Sequence, residues 1–255
     1  MTTEVNYQST EQSEYIHNVE NQHQSAFAQN AYRKTAIIVG ILFIVATAFL
    51  FIGEAVYKPI LSSPDYLDLA YPNRTIVTVG ILLEFVIILA MSLIPVFLFP
   101  VLKRHNEVFA LGYVVFRLLE VSILISVAEV NKLSLIGVSQ AYLNHGAEGA
   151  VYFQQIGSAI QAETYWGDTA GLLYNIVFVV GAVMLYSVFY QSKLIPRWIS
   201  VWGLLAAIAL LTGALLSVFT NIPPIFTLPI LLPIAVQEMV MAGYLIVKGF
   251  NPAAC

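Results

Sequence analysis

Charged residues are scarce in this sequence. They make up 10% of the 255 residues, while hydrophobic residues make up 59%. A soluble domain carries roughly 25% charged residues, because its surface must be hydrated. This chain has too few polar side chains to cover a folded surface, so most of that surface must face lipid. The composition excludes an ordinary cytosolic enzyme, and the net charge of −4 excludes a basic nucleic-acid binder.

Cysteine and histidine are missing from the long apolar segments. The one cysteine is Cys255, which excludes a disulfide-stabilised secreted fold. The four histidines lie outside the apolar segments, so haem and imidazole or thiolate metal centres lack ligands there. No lysine falls within the predicted spans, which argues against a retinal Schiff base. The sequence also lacks a phosphate-binding glycine loop and a nucleotide fingerprint. We therefore predict no metal and no cofactor.

Six apolar segments are long enough to cross a membrane. A helix needs about 20 apolar residues to span roughly 30 Å of hydrocarbon. Each segment is continuously hydrophobic rather than alternating, which favours helices over barrel strands. The predicted fold class is all-α, a six-transmembrane-helix bundle of the polytopic membrane type. The spans cover approximately residues 35–53, 76–99, 108–128, 169–190, 198–219 and 228–247.

The basic residues of the loops predict the orientation of the bundle. Cytoplasmic loops of membrane proteins carry an excess of lysine and arginine. With the N-terminus inside, the cytoplasmic side carries Arg33, Lys34, Lys103, Arg104, Lys193, Arg197 and Lys248. The other side carries Lys58, Arg74 and Lys132. Seven basic residues against three predict that both termini are cytoplasmic.

The chain divides into a polar tail, a membrane domain and a short end. Residues 1–32 contain four glutamates and no lysine or arginine, and we predict a disordered or loosely helical cytoplasmic tail whose end can extend the first helix. Residues 33–250 form the six-helix domain, and residues 251–255 form a C-terminal tail. Residues 54–75 and 129–168 are predicted as outer connections, the latter with an amphipathic helix over residues 149–166.

Three motifs resemble a known family. They are the stretch SKLIPRWISVWGL at residues 192–204, the sequence FRLLE at residues 116–120, and the end of the last span from Glu238 to Gly249. Together they resemble the bacterial membrane family catalogued as domain of unknown function 4386, over about residues 33–250. The resemblance implies a multi-pass helical protein of the bacterial cytoplasmic membrane, and it implies no reaction.

Four ionisable residues fall inside the predicted spans. Each costs between about 2.5 and 17 kcal/mol at the bilayer centre, so such residues are candidates for function. Their similar depths predict one polar centre formed by spans two, three and six, at which protons or a ligand bind. Three carboxyls face one guanidinium there, so at least one carboxyl should be protonated, hydrated or bound to a cation. The centre consists of Glu84, Arg117, Glu120 and Glu238, with Asn175, Gln237, Tyr174 and Ser122 as supporting polar residues.

Several interpretations of this centre remain open. The charges could serve a transporter or binding protein for a small or amphiphilic molecule. They could equally fix helix packing in a non-catalytic protein that acts through partners, with the acidic tail as its contact. An intramembrane enzyme acting on a lipid or isoprenoid is the weakest alternative, because no nucleophile is paired with a base. Glu54, Glu129 and Asp168 lie near span ends and are predicted to be solvated or interfacial. Membrane lipids are the expected partners, and the oligomeric state is not indicated.

Overall fold

The computed structural model describes residues 2–146, 149–162, 168–220 and 227–254, and this part of the chain is helical with short connections. A π-helical segment, Leu124–Glu129, joins the fourth helix to the fifth. The helices are α1 (Thr2–Leu61), α2 (Tyr66–Leu69), α3 (Arg74–Leu102), α4 (Glu107–Ile123), α5 (Val130–His145), α6 (Ala150–Ala162), α7 (Asp168–Ser192), α8 (Arg197–Phe219) and α9 (Thr227–Val247).

Five helical segments are long and apolar enough to cross a membrane. They are Gln29–Leu61, Arg74–Leu102, Glu107–His145, Gly171–Ser192 and Arg197–Leu216. A further apolar segment, Leu232–Val247, is shorter. Large apolar side chains such as Leu82 and Leu205 point outward along these helices, as expected for a surface in contact with lipid. The structure confirms a helical multi-pass membrane protein, and the sixth span stays a prediction.

The N-terminal tail does not follow the prediction of disorder. The backbone of α1 is helical from Thr2 and continues without a break into the first span. The sequence explains this continuity, because the first glycine is Gly40 and the first proline is Pro59. Polar residues alone do not end a helix when glycine and proline are absent.

The third span is longer than predicted. The sequence analysis ended it at residue 128, whereas one continuous helical segment runs over Glu107–His145. No proline occurs between Pro100 and Pro196, so the polar residues after position 128 do not interrupt the helix. The segment ends at Gly146, whose φ of 63° is readily adopted by glycine.

Three helices cover one end of the bundle. This cap consists of α2, α5 and α6, and it corresponds to the two predicted outer connections. Ser139 on α5 donates to the Leu67 carbonyl and accepts from the Tyr71 amide, which joins α5 to the segment around α2. Gln161 on α6 donates to the carbonyl of Leu61 at 2.6 Å. The helix predicted over residues 149–166 is present as α6, and residues 163–166 lie outside the described part.

Basic residues gather at the opposite end. Arg33 donates to the last carbonyls of α9, where the negative end of the helix dipole attracts a cation. The guanidinium of Arg104, which follows α3, lies 5.3 Å from the centre of the Tyr32 ring on α1. Asn251 donates to the carbonyl of Lys193 between α7 and α8. We call this end of the bundle the basic end. Its basic residues are ones that the sequence analysis predicted to lie on the cytoplasmic side.

Two glycines allow α1 and α3 to approach closely. A methyl group added at Gly80 would lie 2.9 Å from Cδ1 of Tyr57 and 3.2 Å from the Gly53 carbonyl oxygen. We expect Gly80→Ala to lower the free energy of unfolding by about 1–3 kcal/mol, because the helices must separate. Gly137→Ala is the matched control, since nothing lies within 4 Å of its added methyl group. Thermal unfolding in detergent checks both, and equal effects would contradict the close approach.

Candidate functional site

The structure divides the predicted polar centre into two clusters. The arginine cluster contains Arg117 and Glu120 from α4, Tyr174 from α7 and Glu238 from α9. The lysine cluster contains Tyr57, Glu84, Glu129 and Lys132. Glu84 therefore does not join the other three predicted residues. The four residues were predicted to meet because they lie at similar depths in their spans. Depth does not determine the direction in which a side chain points.

A paired guanidinium and carboxylate form the core of the arginine cluster. Arg117 and Glu120 are three residues apart on α4, which places them on the same face of the helix. Nη1 of Arg117 donates to both Glu120 oxygens, at 2.8 and 3.1 Å. The hydroxyl group of Tyr174 donates to Oε1 of Glu120 at 2.6 Å. Arg117 and Glu120 are only 6% and 1% exposed, so this pair is removed from solvent and lipid.

The arginine cluster also contains groups that this pairing does not use. Nε of Arg117 is buried and has no hydrogen-bond partner among the described residues. Glu238 is half-buried and interacts electrostatically with Arg117 and Glu120. The guanidinium lies 5.9 Å from the centre of the Phe178 ring, so one wall of the site is aromatic. Two carboxyls and one permanent cation therefore share this region, and one strong donor remains available.

The lysine cluster joins α1, α3 and the long helix that contains α5. The Tyr57 hydroxyl donates to Oε1 of Glu84 at 2.6 Å, and Nζ of Lys132 donates to Oε2 of the same carboxyl. Lys132 also donates to Oε1 of Glu129 at 3.0 Å. Its ammonium lies 4.5 Å from the centre of the Tyr57 ring. Each charged partner is buried, so this network lies in the protein interior, where α5 of the cap meets α1 and α3.

The π-helical segment lies between the two clusters on one continuous helix. It ends at Glu129, and the amide of Val130 donates to the carbonyl of Ile125 five residues earlier. Glu120 and Glu129 are nine residues apart, or about 13 Å at the ordinary helical rise. The wider π turn changes the direction in which the following side chains point, and such turns are frequent at functional sites.

Three members of the lysine cluster were not predicted as site residues, namely Tyr57, Glu129 and Lys132. Lys132 was assigned to an outer loop, and the predicted spans contained no lysine; the structure places it in the span Glu107–His145 at 2% exposure. Glu129 was predicted to be solvated or interfacial and is 5% exposed. Glu54 does lie at a partly exposed position, paired with Lys58. The i, i+3 spacing of Glu129 and Lys132, with no proline nearby, could have indicated that the helix continues and that the two side chains pair on one face of it.

The predicted supporting residues have different surroundings. Tyr174 contacts the arginine cluster directly. Gln237 instead accepts a hydrogen bond from Tyr186 at 2.6 Å and donates to a carbonyl of α8, so it joins α7, α8 and α9. Asn175 and Ser122 donate to carbonyls of their own helices. Among these four residues, the structure brings one to the charged groups.

Neither cluster has the composition of a metal site. Each offers two carboxyls, and a guanidinium or an ammonium already lies beside them. Within residues 2–146, 149–162, 168–220 and 227–254, no group of three or more His, Cys, Asp or Glu side chains is arranged to hold a metal ion.

Comparison with known proteins finds one family. The model of the family described as "Domain of unknown function (DUF4386)" matches residues 38–249, which is most of the chain. The match includes α2 to α9 and all the charged members of both clusters. No curated protein and no solved structure matches the chain.

Proposed function

Because the chain belongs to the DUF4386 family, whose description names no activity, we propose a function from its geometry: the arginine cluster binds or transports a small or amphiphilic molecule with an anionic group. The observation that carries this proposal is the buried, unpartnered Nε of Arg117, with Glu238 near enough to interact electrostatically with the same guanidinium. A strong donor in an apolar surrounding gains much from an anionic partner.

Under this proposal, each group of the arginine cluster has a separate role. Tyr174 holds Glu120, and Glu120 holds the guanidinium through both carboxylate oxygens, so the direction of Nε is fixed. A bound anion would bring a second negative charge beside Glu120 with one guanidinium to balance both. Glu238 must then be neutral, since an additional buried carboxylate would be costly. Binding of the anion is therefore coupled to protonation of Glu238.

The same proposal includes the position of the protein in the membrane. We place it in the bacterial cytoplasmic membrane with six spans and both termini in the cytoplasm. The length of α9, which has 21 residues, supports a sixth span, since such a helix is about 31 Å long. Burial of Lys132 leaves Lys58 and Arg74 opposite the basic end, which strengthens the charge difference between the two sides.

The pH dependence of binding tests this proposal. Oleate is the anionic probe and oleyl alcohol is its neutral counterpart, and binding is measured as a shift in thermal unfolding. We expect oleate to bind the wild-type protein more weakly as pH rises, by about tenfold per pH unit once Glu238 loses its proton. Glu238→Gln should bind oleate without this dependence, because glutamine resembles the neutral carboxyl.

An exposed carboxyl supplies the control for this experiment. Glu107 lies at the start of α4 and is exposed, so Glu107→Gln should keep the wild-type pH dependence. Equal binding of oleate and oleyl alcohol would contradict recognition of an anion. An unchanged pH dependence in Glu238→Gln would contradict the role of that carboxyl.

A structural role is the second candidate, and one observation favours it. Both ion pairs are buried and directly hydrogen-bonded, and such pairs can serve to fix the packing of helices. The protein would then act through partners, with the acidic tail as a contact. Under this alternative, oleate has the same affinity for the wild-type protein and for the Glu238→Gln variant at every pH.

A further inference from the structure

The lysine cluster contains more negative than positive groups in a closed setting. Glu84 and Glu129 face the single ammonium of Lys132, and all three side chains are buried. If both carboxyls were ionised, the cluster would hold one uncompensated negative charge. A buried charge without compensation costs several kcal/mol, so a further positive charge must enter the cluster or one carboxyl must take up a proton. Lys132 already occupies the position between the two carboxyls, where a metal cation would bind.

The hydrogen bonds show where a proton fits. Both oxygens of Glu84 already accept hydrogen bonds, from Tyr57 and from Lys132. Oε2 of Glu129 is buried and has no partner among the described residues. Glu129 and Glu84 both accept a hydrogen bond from Nζ of Lys132, so their carboxyls lie close together. Two ionised carboxylates have no hydrogen to share, whereas a protonated one can donate to its neighbour.

We infer that the lysine cluster is a second proton-binding site, in which Glu129 carries the proton and Glu84 remains ionised beside Lys132. A proton taken from water bonds to a carboxylate oxygen of Glu129, and the resulting hydroxyl becomes a donor toward Glu84. The cluster is then neutral, with one carboxylate and one ammonium. This site goes beyond the proposed function, since it lies about 13 Å along the helix from Glu120 and requires no ligand.

The other members of the lysine cluster around Glu129 come from α1, α3 and α5. Tyr57 comes from α1 and donates to Glu84 from α3, while Lys132 comes from α5. Both oxygens of Glu84 accept hydrogen bonds, whereas one oxygen of Glu129 has no partner among the described residues, so Glu129 is the group placed to take up a proton. The position of Glu129 at the end of the π-helical segment places this change on the helix that also carries the arginine cluster.

Infrared difference spectroscopy of the full-length protein tests this inference. A protonated carboxyl has a carbonyl stretch that is distinct from the bands of carboxylates and shifts in heavy water. We expect this band in the wild-type protein and its loss in Glu129→Gln. The glutamine amide donates toward Glu84 as the protonated carboxyl does, so the variant should fold with unchanged thermal stability. Acid–base titration should show one proton fewer bound per molecule.

Three further variants make every result decisive. Glu107→Gln changes an exposed carboxyl and should leave the band unchanged, and Glu238→Gln should also leave it, which separates this site from the arginine cluster. If Glu129→Gln does not fold, Glu84→Gln takes its place, because Glu129 is then the one carboxyl that faces Lys132, so it should ionise and the band should disappear. Absence of the band in the wild-type protein overturns the inference, as does a band that survives both Glu129→Gln and Glu84→Gln.

Discussion

Replacing Lys132 by methionine is expected to lower the free energy of unfolding by about 3–5 kcal/mol, because it leaves buried carboxyls without their cation. Lys132 donates to Glu84 and to Glu129, and methionine keeps much of its length without its charge. The loss should grow as pH rises, since at low pH both carboxyls can be neutral. Thermal and denaturant unfolding of the protein in detergent micelles measures this effect.

The same substitution at an exposed lysine is the matched control. Lys58 pairs with Glu54 at a solvent-accessible position, so Lys58→Met should change stability by no more than about 1 kcal/mol. Adding Glu129→Gln to Lys132→Met should restore part of the loss, because one carboxyl then remains and Tyr57 donates to it. Equal losses at Lys58 and Lys132 would show that burial of the cluster is not the cause.

The membrane fold could be predicted because its signal is local. A run of about 20 apolar residues must be buried in lipid wherever it occurs, so each span can be found without knowledge of its neighbours. Helix ends are different, because they depend on contacts made elsewhere. The polar residues at the start of α5 predicted a loop. The structure shows a helix there, and Ser139 on this helix forms hydrogen bonds with the segment around α2. Hydropathy gives no information on that tertiary contact.

The candidate site could be predicted only in part, for a related reason. Arg117 and Glu120 were recognisable as a pair from their spacing on one helix. The partner of Glu84 was not recognisable from the sequence, because depth along a helix does not give the direction in which a side chain points. Lys132 was counted as a topology signal, as a basic residue near a predicted span end normally is. Its burial follows from the continuation of the helix and from its contacts with Glu84 on α3 and Tyr57 on α1.

The two clusters have the same composition on opposite sides of the π-helical segment. The order along the helix is Arg117 and Glu120 before it, then Glu129 and Lys132 at its end and beyond. In each cluster the helix supplies one cation and one carboxyl, another helix supplies a second carboxyl, and a tyrosine hydroxyl donates to one of the carboxyls. Under the two proposals, a single helix carries two groups of charges, each of which takes up one proton.

Replacing Arg117 by methionine is expected to have the second large effect. It leaves Glu120 and Glu238 without a cation, so the free energy of unfolding should fall by about 3–5 kcal/mol. Binding of oleate should also disappear, because the unpartnered Nε is lost. Arg104→Met is the matched control, since Arg104 is exposed at the basic end, and it should change neither stability nor binding.

Lysine at position 117 separates the structural role of this residue from its role in binding. Arg117→Lys keeps the positive charge beside Glu120, so it should recover much of the stability that methionine loses. A lysine ammonium has no planar arrangement of separate donors, so it cannot hold Glu120 and present a second, fixed donor as a guanidinium does. We therefore expect the lysine variant to fold but to bind oleate at least tenfold more weakly than the wild-type protein. Wild-type affinity in Arg117→Lys would show that Nε is not the donor to the ligand.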